Sequence, residues 1–201
     1  MDKPAKTVLI CILAVFFNFV SFFLFFDLIH LPLFMDTVFT IAVVFYCGLI
    51  PGLLVQISYN ILNGFVWYLK TGTFDFFIML YVICGILIVI STWIIARHKN
   101  NFSEGLFTSF VYLVVIATVS SFCSVIAGGT IDYFHYKCFN ITDVVSPIKK
   151  FADGFMRQNF GLYFSCIVAQ IPVSFTDRLI TTFAGFGVYR LMQRTLGREE
   201  K

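Results

Sequence analysis

The chain has 201 residues, 59% of them hydrophobic and only 12% charged, with a formal net charge of +3 and a mean hydropathy of +0.90. Soluble domains carry about 25% charged residues, so the composition excludes an ordinary soluble domain and indicates a polytopic membrane protein. At about 20 residues per crossing the length suits one domain of about five to seven spans, and no basic run or aromatic-interleaved patch suggests nucleic acid.

A first span is predicted over 7–26, with Asp27 and His30 at its exit. Basic residues precede it, as in a signal peptide, but the stretch is too long for an h-region and has no small-residue cleavage site; it reads as a retained helix. A turn at His30–Pro32 leads into a second span over 33–50, with Asp36 near its start at a membrane face. Gly48, Pro51 and Gly52 then make a tight reversal into a third span over 52–69. This span is the most polar of the early ones, carrying Gln56, Ser58, Tyr59, Asn60 and Asn63. Trp67 and Tyr68 at its end suit the membrane–water interface.

Lys70–Asp75 reads as a turn, and 76–96 as a fourth span without a single charge, stopped by Arg97–Asn101. A fifth span over 105–131 ends in Gly128, Gly129 and Thr130, and the longest polar segment follows over 132–159. Residues 160–171 are apolar but short and end at Pro172. They fit an interfacial piece, a re-entrant piece or the start of a kinked helix; the last span is 171–192. The expected fold is therefore an all-α integral membrane protein of one domain, a six-transmembrane-helix bundle with its long outer loop between helices five and six. Eight Lys and Arg fall on the side of the termini and six on the other. This bias places both termini in the cytoplasm and the long loop and the Asp36 turn outside.

Polar groups converge on that outer side: Asp36 and Thr37, Asp132 and His135, and Asp177 with Arg178. A charge in mid-membrane costs about 2.5–3.5 kcal/mol on insertion scales, so such residues pair or line a wet site. Asp177 and Arg178 are sequence neighbours and do not face each other on a helix; each is expected to take a partner elsewhere, with Asp36 or Asp132 suiting Arg178. Asp36 and Asp177 also suit helix N-caps, and Asn60 and Asn63, three apart on one face, suit interhelical hydrogen bonds. Cys11, Cys47, Cys84 and Cys123 lie inside apolar spans, where cysteine is a small hydrophobe; only Cys138 and Cys166 allow a disulfide. Neither metal-ligand spacing nor a protease, hydrolase or phosphate-loop signature is present. Binding or passage of something small is the expected work, without catalysis.

Leu31-Pro32-Leu33-Phe34-Met35-Asp36-Thr37-Val38-Phe39-Thr40, followed by Gly48-Leu49-Ile50-Pro51-Gly52 and Asn60, resembles the substrate-binding S component of energy-coupling-factor (ECF) transporters. Gly128-Gly129-Thr130 resembles the glycine-rich outer end of that family's fifth helix, and Ile171–Ile180 the start of its sixth, with Arg178 where Lys is common. The resemblance implies an inner (plasma) membrane protein of a bacterium that captures a vitamin or similar micronutrient at its outer face. It also implies a transmembrane coupling subunit and two cytoplasmic ATPases as partners. ATP is then used by those partners, with no cofactor on this chain. The candidate substrate-binding residues are Asp36, Asn60, Asn63, Asp132, His135, Asp177 and Arg178. Many members dock the coupling subunit through an Ala-x-x-x-Ala patch on helix one; here Ala14 is followed by Asn18. A ligand-sensing membrane domain working with a separate signalling partner is the alternative.

Overall fold

A computed structural model describes residues 3–31, 33–97, 105–139 and 148–197. Pro32, the basic stop at 98–101, the centre of the long polar segment at 140–147 and the tail beyond 197 lie outside the described residues. The described chain is helical throughout: α1 (Lys3–Phe22) with a π-helical extension (Phe23–Leu28), α2 (Val38–Cys47), α3 (Leu49–Thr71), α4 (Phe76–Leu80), α5 (Val82–Ala96), α6 (Leu106–Phe139), α7 (Lys149–Arg157) and α8 (Leu162–Leu196). Four stretches are long and apolar enough to cross a membrane: Pro4–Phe26, Leu49–Thr71, Phe76–Ala96 and Leu106–Cys138. They make this a membrane-type helical bundle.

The second predicted span is half the expected length. α2 has ten residues, about 15 Å of rise against a hydrocarbon core of about 30 Å. Eight of the ten are buried, and Ile41 and Phe45 pack with Ala96 of α5 and Leu113 and Ile116 of α6. On the opposite side Val43 and Tyr46 meet Ile10 and Ala14 of α1 and Val55 of α3. α2 is thus the bundle's central post, and residues 29–31 and 33–37 before it are irregular chain. The reversal into α3 takes a single residue, Gly48, with φ of 95°, a conformation that favours glycine. Pro51 is not part of that turn. It sits in the first turn of α3, where a missing N–H breaks no helical hydrogen bond.

α1 lies at the edge of the bundle. Ile10, Ala14 and Asn18, four apart, form its buried stripe, while Val8, Ile12 and Phe16 are exposed on its outer face. Its direction against α2 follows from two contacts: Lys6 Nζ donates to Tyr46 Oη at 3.0 Å, and Asn18 Nδ2 to Thr40 Oγ1 at 2.8 Å. Lys6 also donates to the Leu196 carbonyl at 2.9 Å, so the start of α1 and the end of α8 share one end of the bundle. The predicted fourth span holds as α4 and α5, with Tyr81 in a turn between them. Asp75 caps α4, its Oδ1 accepting from Phe77 N at 2.9 Å.

Two expectations about the later chain are corrected. Span five does not end at the glycines: α6 runs on to Phe139 and carries Asp132 and His135 on the helix, not in a loop. Gly128 and Gly129 are contact points for α8; a Cβ on Gly129 would lie 2.8 Å from Ile167 Cα. Residues 162–171 do not form a piece of their own. They begin α8, a continuous helix of 35 residues that carries Pro172 inside it, the last of the three readings the sequence left open. α6 and α8, each about 50 Å long, form the most extensive helix pair.

Candidate functional site

α8 carries a buried polar stripe: Gln170, Ser174, Asp177, Arg178, Thr181 and Thr182. These positions recur at helical spacing on one face, turned toward α2 and α6. Two acid-centred clusters hang on it.

The lower cluster forms where loop 29–37 enters the bundle. Arg178 Nη1 donates to Thr37 Oγ1 at 2.6 Å; Nη2 donates to Asp177 Oδ2 and meets Asp36 Oδ1 at 3.5 Å. The other Asp177 oxygen accepts from the backbone amide of Met35 at 2.8 Å. Asp177 is completely buried and Arg178 nearly so, whereas the Asp36 side chain keeps 21% of its surface. Two buried side-chain atoms here have no partner among the described residues, Arg178 Nε and Tyr59 Oη. The Tyr59 phenol lies within electrostatic reach of Asp36, Asp177 and Arg178.

Sequence neighbours on a helix point about 100° apart, yet Asp177 and Arg178 do touch, against expectation. The long arginine stem lets the guanidinium swing back over the shorter aspartate while its other nitrogens reach loop 29–37. Neither aspartate is an N-cap: Asp177 lies fifteen residues inside α8, and the residue preceding α2 is Thr37.

The upper cluster centres on Asp132 of α6. Tyr81 Oη donates to Asp132 Oδ1 and Gln170 Nε2 to Oδ2 at 2.7 Å. Ser174 Oγ then donates to Gln170 Oε1 at 3.1 Å. Asp132 is therefore not a partner of Arg178; neutral donors hold it two helical turns away along α8. His135, one turn further along α6, places Nε2 3.2 Å from Asp75 Oδ2 and stacks on Phe77 at 4.9 Å between ring centroids. A single stripe thus joins the two predicted groups through Gln170 and Ser174, both at four-residue spacing before Arg178.

The amides of α3 behave differently. Asn60 Nδ2 bonds the Gln56 carbonyl of its own helix at 2.9 Å, not a neighbouring helix. Asn63 is partly exposed one turn on and does not join the charged cluster. Among the side-chain amides of α1 and α3, Asn18 and Gln56 make the interhelical bonds. Asn18 Oδ1 accepts from Phe39 N at 2.9 Å while its nitrogen holds Thr40, whose hydroxyl donates to Gln56 Oε1 at 3.1 Å. This chain secures the first turn of α2. It also consumes positions 14 and 18 of α1: Ala14 is 5% exposed and Asn18 0%, so neither presents a docking patch to a partner.

In the comparisons with known proteins, no family model, no curated protein and no solved structure matches the chain.

Proposed function

We propose that the protein is a membrane substrate-capture subunit of the ECF type, taking up a vitamin or similar micronutrient at the outer face of the plasma membrane. The observation that carries this reading is the loop-capped ion cluster. Irregular backbone at membrane depth occurs where it is enclosed by protein or lines a wet site, and buried charges that are not needed for packing mark ligand sites. Loop 29–37 supplies Asp36 and Thr37 beside Arg178, whose Nε remains available with the Tyr59 hydroxyl.

In this reading the chain passes the membrane six times, with the α2 pass completed by loop 29–37, and both termini are cytoplasmic. The protein binds and hands over its cargo without transforming it. A transmembrane coupling subunit and two cytoplasmic ATPases supply the energy. Because positions 14 and 18 are turned inward, the coupling subunit meets the exposed outer face of α1 through other residues, such as Ile12 and Phe16.

The test is mass spectrometry of small molecules released from the detergent-purified protein, together with identification of the proteins that co-purify with it. A stoichiometric micronutrient with ATPase subunits is the expected result. A co-purifying kinase in place of the ATPases would replace the importer with a sensory domain.

A further inference from the structure

α7 is held to the bundle by a single apolar patch. Ile148 just before it, Ala152 and Phe155 form its inner face, and they pack with Ala169 and Val173 of α8 and with Phe34 of the loop before α2. Their spacing of four and three residues is one face of a helix; Phe151, Gly154 and Arg157 on the other face are exposed. α8 is its main helical neighbour. Among the described residues, the α7 side chains at 151–157 make no hydrogen bond or ion pair to another element.

What lies under that patch is the flank of the lower cluster. Ala169 and Val173, both buried, each precede a member of the polar stripe, Gln170 and Ser174. Phe34 precedes Met35, whose amide donates to Asp177 at 2.8 Å. α7 thus roofs the seam at which the loop before α2 meets α8. It is joined to α8 through four exposed residues, 158–161. Among them Asn159 has a φ of +65°, a conformation asparagine tolerates, and a Cβ on Gly161 would meet nothing within 4 Å. Phe160 in this joint rests on Phe155 and Phe164, rings of the same helical hairpin.

We infer that α7 is a lid. It swings as a helix about 158–161, parting Ile148, Ala152 and Phe155 from Ala169, Val173 and Phe34, and so opens and closes the seam beside the ion cluster. Segments with few buried apolar contacts open far more readily than the rest of a fold, while the polar ties of Asp177 and Arg178 to the loop stay made. The lid deepens the capture reading above and rests on it for its purpose: cargo reaching the cluster enters under α7. Closure depends on apolar contact, so one polar group set at Ala152 opens it.

The experiment is a pulsed electron-spin distance measurement on the full-length purified protein in lipid nanodiscs. Spin-labelled noncanonical residues take the places of Phe151, on the outer face of α7 and away from the joint, and Leu191 on α8. Both positions are exposed, and the six cysteines stay unchanged. Two distances are expected, one closed and one open. Ala152→Asp should raise the ratio of open to closed about 10-fold or more, because the added charge burdens the closed state alone. Should that variant fail to fold, Ala152→Ser is the milder one and must shift the ratio the same way. A single distance in the wild type would overturn the inference, and so would two distances whose ratio the variants leave unchanged. The measurement needs no cargo, so it separates the lid from the importer. A moving α7 in a protein that recruits no ATPase refutes the importer and keeps the lid, and a fixed α7 in one that recruits ATPases does the reverse.

Discussion

The backbone amide of Met35 donates to Asp177 Oδ1 at 2.8 Å across a separation of 142 residues, fixing the irregular loop before α2 to the middle of α8. Met35 adopts a φ of +50°, unusual for a residue with a side chain, and the bond holds it there. Removing one member of a buried ion pair costs about 3–5 kcal/mol when the other charge is left uncompensated, and Asp36 at 3.5 Å leaves Arg178 part of its compensation. Asp177→Ala is therefore expected to lower the unfolding temperature in detergent by about 10 °C. Asp177→Asn, which keeps the acceptor for Met35, should lose less. Equal losses would show that the loop bond contributes nothing and the charge everything.

Gln170 links the two clusters, donating to Asp132 and accepting from Ser174. Gln170→Leu leaves the buried Asp132 oxygen and the Ser174 hydroxyl without their partner, a loss of about 1–3 kcal/mol for each group so orphaned. Ser174→Ala alone should be mild. In a double-mutant cycle the two changes should cost less together than their sum, because removing Gln170 already frees Ser174. Strict additivity of the unfolding free energies would deny the link.

Two glycines on α8 provide a paired test of helix approach. A Cβ on Gly185 would lie 2.7 Å from the Val38 carbonyl oxygen and 2.9 Å from Ile41 Cγ2, whereas one on Gly187 meets nothing within 4 Å. Gly185→Ala must push α2 away and should cost about 1–3 kcal/mol. Gly187→Ala should be neutral or gain up to about 1 kcal/mol through helix propensity. Melting temperatures of the two variants, measured side by side, decide it.

Much of this was legible in the residues. Uninterrupted apolar runs announced the helices over 7–26 and 76–96, and isolated charges in such runs pointed to Asp36, Asp177 and Arg178, which do meet. Asp132 and His135 were found as polar groups just past the fifth apolar run, but hydropathy cannot tell that a helix continues into polar sequence when its partner helix is equally long; α6 and α8 support each other past the apolar zone. The brevity of α2 was hidden because residues 33–35 are as apolar as a helix while the Met35 amide is held by Asp177 instead. Gln170 and Ser174 carried a readable signal, four-residue spacing ahead of Arg178, that a search for charges passes over. Gln56 and Tyr59 stood out only as members of a polar span and Tyr81 not at all, since a lone polar atom on a helix acquires meaning only from what the fold brings to it.

The burial of α2 bears on how the chain is made. Helices with an exposed apolar face, such as α1, can rest in lipid as soon as they are synthesised. α2 has no exposed residue, and one wall of its enclosure is α8, which is translated after α1 to α7. Until α8 arrives, the post has no finished socket, the Met35 amide has no acceptor and Thr37 has no guanidinium. The ion cluster is thus completed only once α8 has been made, and a nascent chain stopped before Asp177 holds α1 to α7 but no assembled cluster.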